Sequence, residues 1–132
     1  KKNMIQPGTI LNVADNSGAK KLNCIAILGG YQKATAGVGD VIVASIRELR
    51  RQGQGRVFKV QKGQVVHCVI VRVKKKRQLS SGFSHASSEN AAVLIDSTSK
   101  NPIGSRVLGP VTDELKESGF GRIINMSPHS TF

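Results

Sequence analysis

Residues 10–28, ILNVADNSGAKKLNCIAIL, contain two apolar runs that are separated by a polar turn. The first run, Ile10 to Ala14, and the second, Leu22 to Leu28, have the short apolar, β-branched character that is typical of strands. Between them, Asp15-Asn16-Ser17-Gly18 combines the residue types that dominate tight turns. The stretch therefore predicts a strand, a turn and a second strand.

Three further segments repeat this organisation. Val41 to Ile46 follows Gly37-Val38-Gly39-Asp40, whose glycines suit a turn, and Val65 to Val73 and Ala91 to Ile95 are further strand candidates. Short strands without long helical periods between them favour a small antiparallel barrel or sandwich. The length of 132 residues favours one domain, which we expect to cover residues 1–132.

The C-terminal part, about residues 112–127, has a helical pattern instead. Thr112 is a candidate N-cap, and Asp113-Glu114 would lie in the first turn, where negative charge is favourable. Gly119 would follow the end of the helix, and Leu115 would contact the core.

The charge of the chain is concentrated in its centre. Twenty Lys and Arg against eight Asp and Glu give a formal charge of +12, and eleven of the bases lie between residues 47 and 77 with Glu48 as the only acid. These bases are Arg47, Arg50, Arg51, Arg56, Lys59, Lys62, Arg72, Lys74, Lys75, Lys76 and Arg77. Such an excess works against a compact state unless a polyanion neutralises it.

The basic stretch is interleaved with strand-forming residues, and residues 47–62 predict a basic hairpin arm that turns near Gly53-Gln54-Gly55. A run of like charges usually indicates a solvent-exposed face or a disordered tail. Bases on a strand are instead held at fixed spacing, which suits a phosphate backbone, so we favour a nucleic-acid surface. An anionic membrane would call for a basic amphipathic helix, which the sequence lacks, and we expect no membrane partner.

Catalytic and metal-binding patterns are absent from the sequence. Cys24 and Cys68 both fall within predicted strands and outside any C-x-x-C pair, so we interpret them as buried reduced thiols. The three histidines lack metal-ligand spacing, and neither a nucleophile elbow nor a phosphate-binding loop occurs. We predict no enzyme activity, no cofactor and no metal.

A set of short segments follows one another in a characteristic order along the chain: Met4 to Gln6, Leu11 to Lys21, Cys24, Leu28 to Gly30, Ala36 to Asp40, Lys62-Gly63, Val69 to Lys75, Glu89 to Ile95, Asn101 to Arg106, Gly109 to Thr112 and Phe120 to Ile124. Taken together in this order, they resemble one known family, the universal large-subunit ribosomal protein number fourteen.

The resemblance implies a mainly β fold, with a five-stranded barrel, a projecting hairpin and short C-terminal helices. It implies binding to large-subunit rRNA beside neighbouring large-subunit proteins, at the face that meets the small subunit. Members of the family contribute to an intersubunit bridge, where small-subunit rRNA would be a partner. In bacteria and organelles the same surface receives a ribosome-silencing factor, which the resemblance adds as a further partner.

Specific residues follow from the matched positions. Ser105, Arg106 and Arg122 match the protein-facing surface. The RNA-facing matches are Asn16, Ser17, Lys20, Lys21, Arg72, Lys74 and Lys75, to which the charge pattern adds the remaining bases of residues 47–77.

The chain departs from the family pattern in the Ser-rich loop of residues 80–88. Ser81-Gly82 keeps the glycine of the pattern, but Ala86 and Ser87 replace an arginine and an aromatic residue. This drift favours a mitochondrial ribosome over a bacterial one. The alternative outside the ribosome is a free-standing small-barrel RNA-binding protein.

Overall fold

The computed structural model describes residues 5–29, 35–50, 60–74, 89–109, 111, 115 and 119–126. Within them we label five strands and one short helix in chain order. The elements are β1 Ile10–Val13, β2 Ala19–Ile27, β3 Val41–Leu49, β4 Val65–Arg72, β5 Ala91–Ile95 and α1 Gly121–Met126. No helix in these ranges is long and apolar enough to cross a lipid bilayer.

The five strands form a closed barrel in which consecutive strands are neighbours. The pairs from β1–β2 to β4–β5 are antiparallel, whereas β1 and β5 close the barrel in parallel. Because direction alternates at every step, an odd-numbered last strand runs the same way as the first, so the closing pair has to be parallel. The predicted mainly β, five-stranded barrel is confirmed, with antiparallel pairing at every step except this closure.

The barrel interior is filled by alternate side chains of its strands. In β3, Ile42, Ala44 and Ile46 are buried, while the residues between them are only partly covered. The other strands contribute Leu11, Val13, Leu22, Cys24, Val66, Cys68, Ile70, Ala92 and Leu94 to the same cluster. Burial of each larger aliphatic side chain contributes about 1.5–3 kcal/mol to folding, so this alternation stabilises the closed barrel.

Strands β4 and β5 are covered on their outer face as well. Val69 and Val93 belong to a second cluster, with Leu115 and Ile123 from the C-terminal part of the chain. This double coverage explains why all five residues of Ala91–Ile95 are both apolar and buried.

The C-terminal part packs against the barrel through Leu115 and Phe120, which belong to the second cluster. Leu115 is helical and fully buried, Gly119 has a φ of +91°, and the backbone N–H of Phe120 donates to the Leu115 carbonyl at 2.8 Å. This is the hydrogen bond of a Schellman cap, in which a left-handed glycine ends the helix. The predicted core contact of Leu115 is confirmed, whereas the candidate N-cap Thr112 lies outside the described residues.

Two strands are longer than their apolar runs. β2 begins at Ala19 rather than at Leu22, and β3 continues to Leu49 beyond Ile46. In both cases the added residues include charged side chains. The tip of the predicted arm, residues 51–59, and the Ser-rich loop of residues 80–88 lie outside the described residues.

Candidate nucleic-acid interface

The register of the barrel aligns one residue from each of the five strands in one transverse row around the barrel. Glu48 pairs with Lys21, Lys21 with Asn12, Asn12 with Ala91, and Ala91 with Arg72. Neighbouring strands lie about 4.8 Å apart, so Lys21 and Arg72 are separated by about 14 Å along the barrel wall. We call this line of residues the transverse row.

Exposed cations flank the transverse row on its β2–β3 side. Lys20 is exposed and lies 3.9 Å from Glu48, with more than half of each side chain accessible to solvent. Arg47 is also exposed, as is Lys62 in the turn before β4. The Gly63 N–H donates to the Ile46 carbonyl at 2.8 Å, which places the turn that carries Lys62 beside β3. The long Lys20–Glu48 pair contributes little stability in water, so these cations remain available to a partner.

On its β4 side the transverse row contains a polar network instead. The Glu89 carboxylate accepts hydrogen bonds from Asn12 Nδ2 at 2.9 Å and from the Arg72 guanidinium at 3.1 Å. Arg72 also donates to the Leu108 carbonyl at 3.2 Å, and its side chain is only 12% exposed. Just beyond the network, Lys74 is exposed and its backbone N–H donates to Asn90 Oδ1 at 2.7 Å.

Arg50 is likewise directed into the molecule. Its guanidinium donates to the Val13 carbonyl at 2.8 Å, and its backbone N–H donates to the Gly18 carbonyl at 2.8 Å. Arg50 and Arg72, both predicted to contact RNA, therefore join segments of the protein. The chemistry of the forked guanidinium explains this use, because it can donate to several fixed oxygens at once.

The turn after β1 is organised by a buried carboxylate. Asp15 is inaccessible to solvent, and it accepts hydrogen bonds from the Ser17 N–H at 3.1 Å, from Ser17 Oγ at 2.6 Å and from the Leu94 N–H at 3.0 Å. Burial raises the pKa of Asp15, although these hydrogen bonds and the nearby charge of Arg50 oppose the rise.

Ser17 does not belong to the exposed surface. Predicted to face RNA, it is only 2% exposed, and its hydroxyl donates to Asp15 inside the turn. Sequence reasoning missed Asp15 because an aspartate two residues before a serine is an ordinary turn signal. Only the closure of the barrel places β5, and the Leu94 N–H with it, against that carboxylate.

Asn16, in the same turn, connects two surfaces that the sequence analysis treated separately. Its Oδ1 accepts hydrogen bonds from the backbone N–H groups of Ser105 at 2.9 Å and Arg106 at 3.0 Å, and its Nδ2 donates to Ser105 Oγ at 3.0 Å. Ser105 and Arg106 are exposed, as is Arg122, which donates to Asn101 Oδ1 at 3.0 Å. The structure thus places the predicted RNA-facing turn directly beside the predicted protein-facing residues.

The two cysteines are free and buried in the barrel, which confirms the prediction of reduced thiols. Burial raises the pKa of both Cys24 and Cys68, so each remains a thiol at neutral pH. In the part of the chain that the structure describes, no three His, Cys, Asp or Glu side chains are grouped to hold a metal ion.

The remaining predicted RNA contacts, Arg51, Arg56, Lys59, Lys75, Lys76 and Arg77, lie outside the described residues. The predicted contacts that the structure describes thus form two groups, the exposed cations around the transverse row and the inward-directed residues that hold it.

A comparison with models of known protein families matches residues 4–131 to ribosomal protein L14p/L23e, and the chain therefore belongs to this family of structural proteins of the large ribosomal subunit.

Proposed function

We propose that the chain binds large-subunit rRNA as a non-catalytic structural component, through exposed cations held on rigid strands. The observation that carries this proposal is the exposure of Lys20, Arg47, Lys62 and Lys74, which lie on or beside strands that the closed barrel holds in fixed register. The family is one of structural proteins rather than enzymes, which agrees with the lack of catalytic motifs in the sequence.

The proposed contacts in the described part of the chain are the exposed Lys20, Arg47, Lys62 and Lys74, together with the half-buried Lys21. The arm and the residues that follow β4 would add Arg51, Arg56, Lys59, Lys75, Lys76 and Arg77. Lysine ammonium groups act as point charges on phosphates, whereas arginine forks bridge two phosphate oxygens. Contacts of this kind fix position and orientation without reading base sequence.

Salt dependence of binding to purified large-subunit rRNA tests this proposal. If six to eight bases each neutralise a phosphate, a plot of log K against log salt should have a slope of about −4 to −7. Replacing Lys20 and Lys21 with alanine should reduce the magnitude of that slope by about 1.5. The control is Lys100→Gln, which removes one exposed cation outside the proposed set and should leave the slope unchanged. A slope near zero for the wild-type protein would refute rRNA binding through phosphates.

The alternative, a free-standing small-barrel RNA-binding protein, differs in stoichiometry. A ribosomal component should be present in one copy per large subunit and should remain there through a high-salt wash. Sucrose-gradient fractionation, with the protein followed across free, small-subunit and large-subunit fractions, distinguishes the two. Loose association that a salt wash removes would favour the alternative.

A second proposed role is protein contact through Ser105, Arg106 and Arg122, which the structure leaves exposed. Partners of this surface would be neighbouring large-subunit proteins and, by resemblance to the family, a ribosome-silencing factor. Exchanging Arg106 and Arg122 for glutamate should impair these contacts while rRNA binding survives. Equal loss of both activities would argue against a separate protein-contact surface.

Two finer proposals come from the resemblance. One is a contribution to an intersubunit bridge with small-subunit rRNA, and the other is a place in a mitochondrial rather than a bacterial ribosome. Depleting the protein should lower the yield of joined ribosomes from purified subunits if the bridge is formed. Fractionating cells before the sucrose gradient would assign the compartment.

A further inference from the structure

The segment of residues 104–106 lies between two anchored stretches. Before it, the Ile103 N–H donates to the Leu94 carbonyl at 3.1 Å. After it, the Val107 N–H donates to the Met126 carbonyl at 3.3 Å and the Leu108 N–H donates to the Ala14 carbonyl at 2.6 Å. Both ends of the segment are therefore held against the barrel and α1.

Between these anchors, the hydrogen bonds that residues 104–106 form with other described residues all go to Asn16. Its Oδ1 receives the N–H groups of both Ser105 and Arg106, so both lone pairs of that oxygen are used. Its Nδ2 donates to Ser105 Oγ, and its own backbone N–H donates to the Arg106 carbonyl at 3.3 Å. One side chain thus fixes the backbone from which Ser105 and Arg106 project.

Gly104 makes this close approach possible. A Cβ atom at this position would lie 2.7 Å from Asn16 Oδ1 and 3.3 Å from the Ser17 backbone nitrogen. The Asn16 amide has little freedom to move away, because it is held by the bonds to Ser105 and Arg106. A side chain at position 104 is therefore incompatible with the observed arrangement.

The turn that carries Asn16 is itself rigid. The buried Asp15 carboxylate binds the Ser17 N–H and the Leu94 N–H, and Asp15 pairs with Val107 in an isolated antiparallel bridge. The position of the amide is therefore set by the barrel core.

From this geometry we infer that Asn16 is a positioning residue for the Ser105–Arg106 surface rather than an rRNA contact. The inference rests on the proposed function for the use of that surface, but the geometry it describes belongs to the free protein. Asn16, Ser105 and Arg106 are exposed, so water can replace the hydrogen bonds that are lost when the Asn16 amide is removed. Removing this amide should therefore release residues 104–106 without unfolding the barrel.

Amide hydrogen exchange of the free protein, followed residue by residue by NMR, tests the inference. In Asn16→Ala, the amides of Ser105 and Arg106 should exchange about tenfold faster than in the wild type. The Leu94 amide, which is bonded to Asp15, should keep its rate and serves as an internal control. Asn16→Asp retains oxygen acceptors for both N–H groups and should restore the protection.

Gly104→Ala provides the second variant, because it displaces the contact while leaving the Asn16 amide intact. This variant should reproduce the faster amide exchange of Ser105 and Arg106. Both Asn16→Ala and Gly104→Ala should bind purified large-subunit rRNA with an affinity within about twofold of that of the wild type. Unchanged exchange in Asn16→Ala, or a loss of rRNA affinity confined to the Asn16 variant, would overturn the inference. If the wild type itself fails to bind rRNA, the proposed function is wrong, but the exchange rates still decide whether Asn16 positions Ser105 and Arg106.

Discussion

Asp15→Asn isolates what the buried carboxylate contributes to the barrel. The carboxylate accepts three hydrogen bonds, two at Oδ1 from Ser17 and one at Oδ2 from the Leu94 N–H. An amide has a single acceptor oxygen, so its NH₂ group has to face at least one of these donors. The substitution keeps the shape of the side chain and removes one acceptor.

The magnitude follows from the buried donor that loses its partner. Leaving one buried backbone N–H unsatisfied costs about 1–3 kcal/mol. The neutral amide avoids burying a charge, which offsets part of that cost. We expect the free energy of unfolding at pH 7 to fall by about 2 kcal/mol, which lowers the Tm by about 8 °C for a chain of this size.

Urea unfolding followed by circular dichroism measures this change, and Asp96→Asn is the matched control. Asp96 also accepts a hydrogen bond two residues ahead, from the Thr98 N–H at 2.7 Å, but it is exposed to solvent. Water can satisfy the donors of that turn, so the control should change the free energy of unfolding by less than about 0.5 kcal/mol. Equal losses in Asp15→Asn and Asp96→Asn would refute the assignment of the effect to burial.

Three further predictions concern pH, the Arg72 network and the glycine beside it. Burial raises the pKa of Asp15, so the native state holds this proton more tightly than the unfolded chain. The contribution of this bound proton to the free energy of unfolding is therefore fully present below about pH 4, and it is lost as the pH rises through the raised pKa. In urea titrations, the difference in free energy of unfolding between the wild type and Asp15→Asn should decline over that range. Arg72→Lys should lower the free energy of unfolding by about 1–2 kcal/mol, because an ammonium group cannot reach Glu89 and the Leu108 carbonyl together, and an unchanged Tm would contradict this. Gly109 and Gly63 share a φ of +87°, but only at Gly109 would an added Cβ lie 2.6 Å from an Arg72 nitrogen. In calorimetry, Gly109→Ala should therefore lower the free energy of unfolding by about 1 kcal/mol more than Gly63→Ala does.

Most of the strands could be predicted because their signals are local. The sequence predicts Ala91 to Ile95 with the bounds that the structure has, since every residue is apolar and turn residues follow the segment. β2 and β3 extend beyond their predicted apolar runs because Lys20, Arg47 and Glu48 lie on the outer wall. An apolar run marks only the part of a strand that contacts the core, so strand ends with outward charges are missed.

The alignment of distant segments could not be predicted. The transverse row depends on how far each strand is displaced relative to its neighbour, and this stagger is set only when the barrel closes. Lys21 and Arg72 are about fifty positions apart in sequence, yet they belong to one row through Asn12 and Ala91. The sequence indicated the residue types of the interface, whereas the register determines which of them lie together.

The inward-directed arginines explain why counting bases overstates a phosphate-binding surface. Arg50 and Arg72 donate to backbone carbonyls of other segments, and Arg72 also pairs with Glu89. A guanidinium suits this use because it is weakly hydrated and its donors are fixed in a plane, whereas an ammonium group is strongly hydrated and favours solvent. Lys20, Lys62 and Lys74 are accordingly exposed. The barrel therefore uses Arg50 and Arg72 to hold its own segments together, while Arg47 and the three lysines remain accessible. The rigidity that Arg50 and Arg72 provide keeps the accessible cations at fixed spacing, as the proposed contact with an RNA backbone requires.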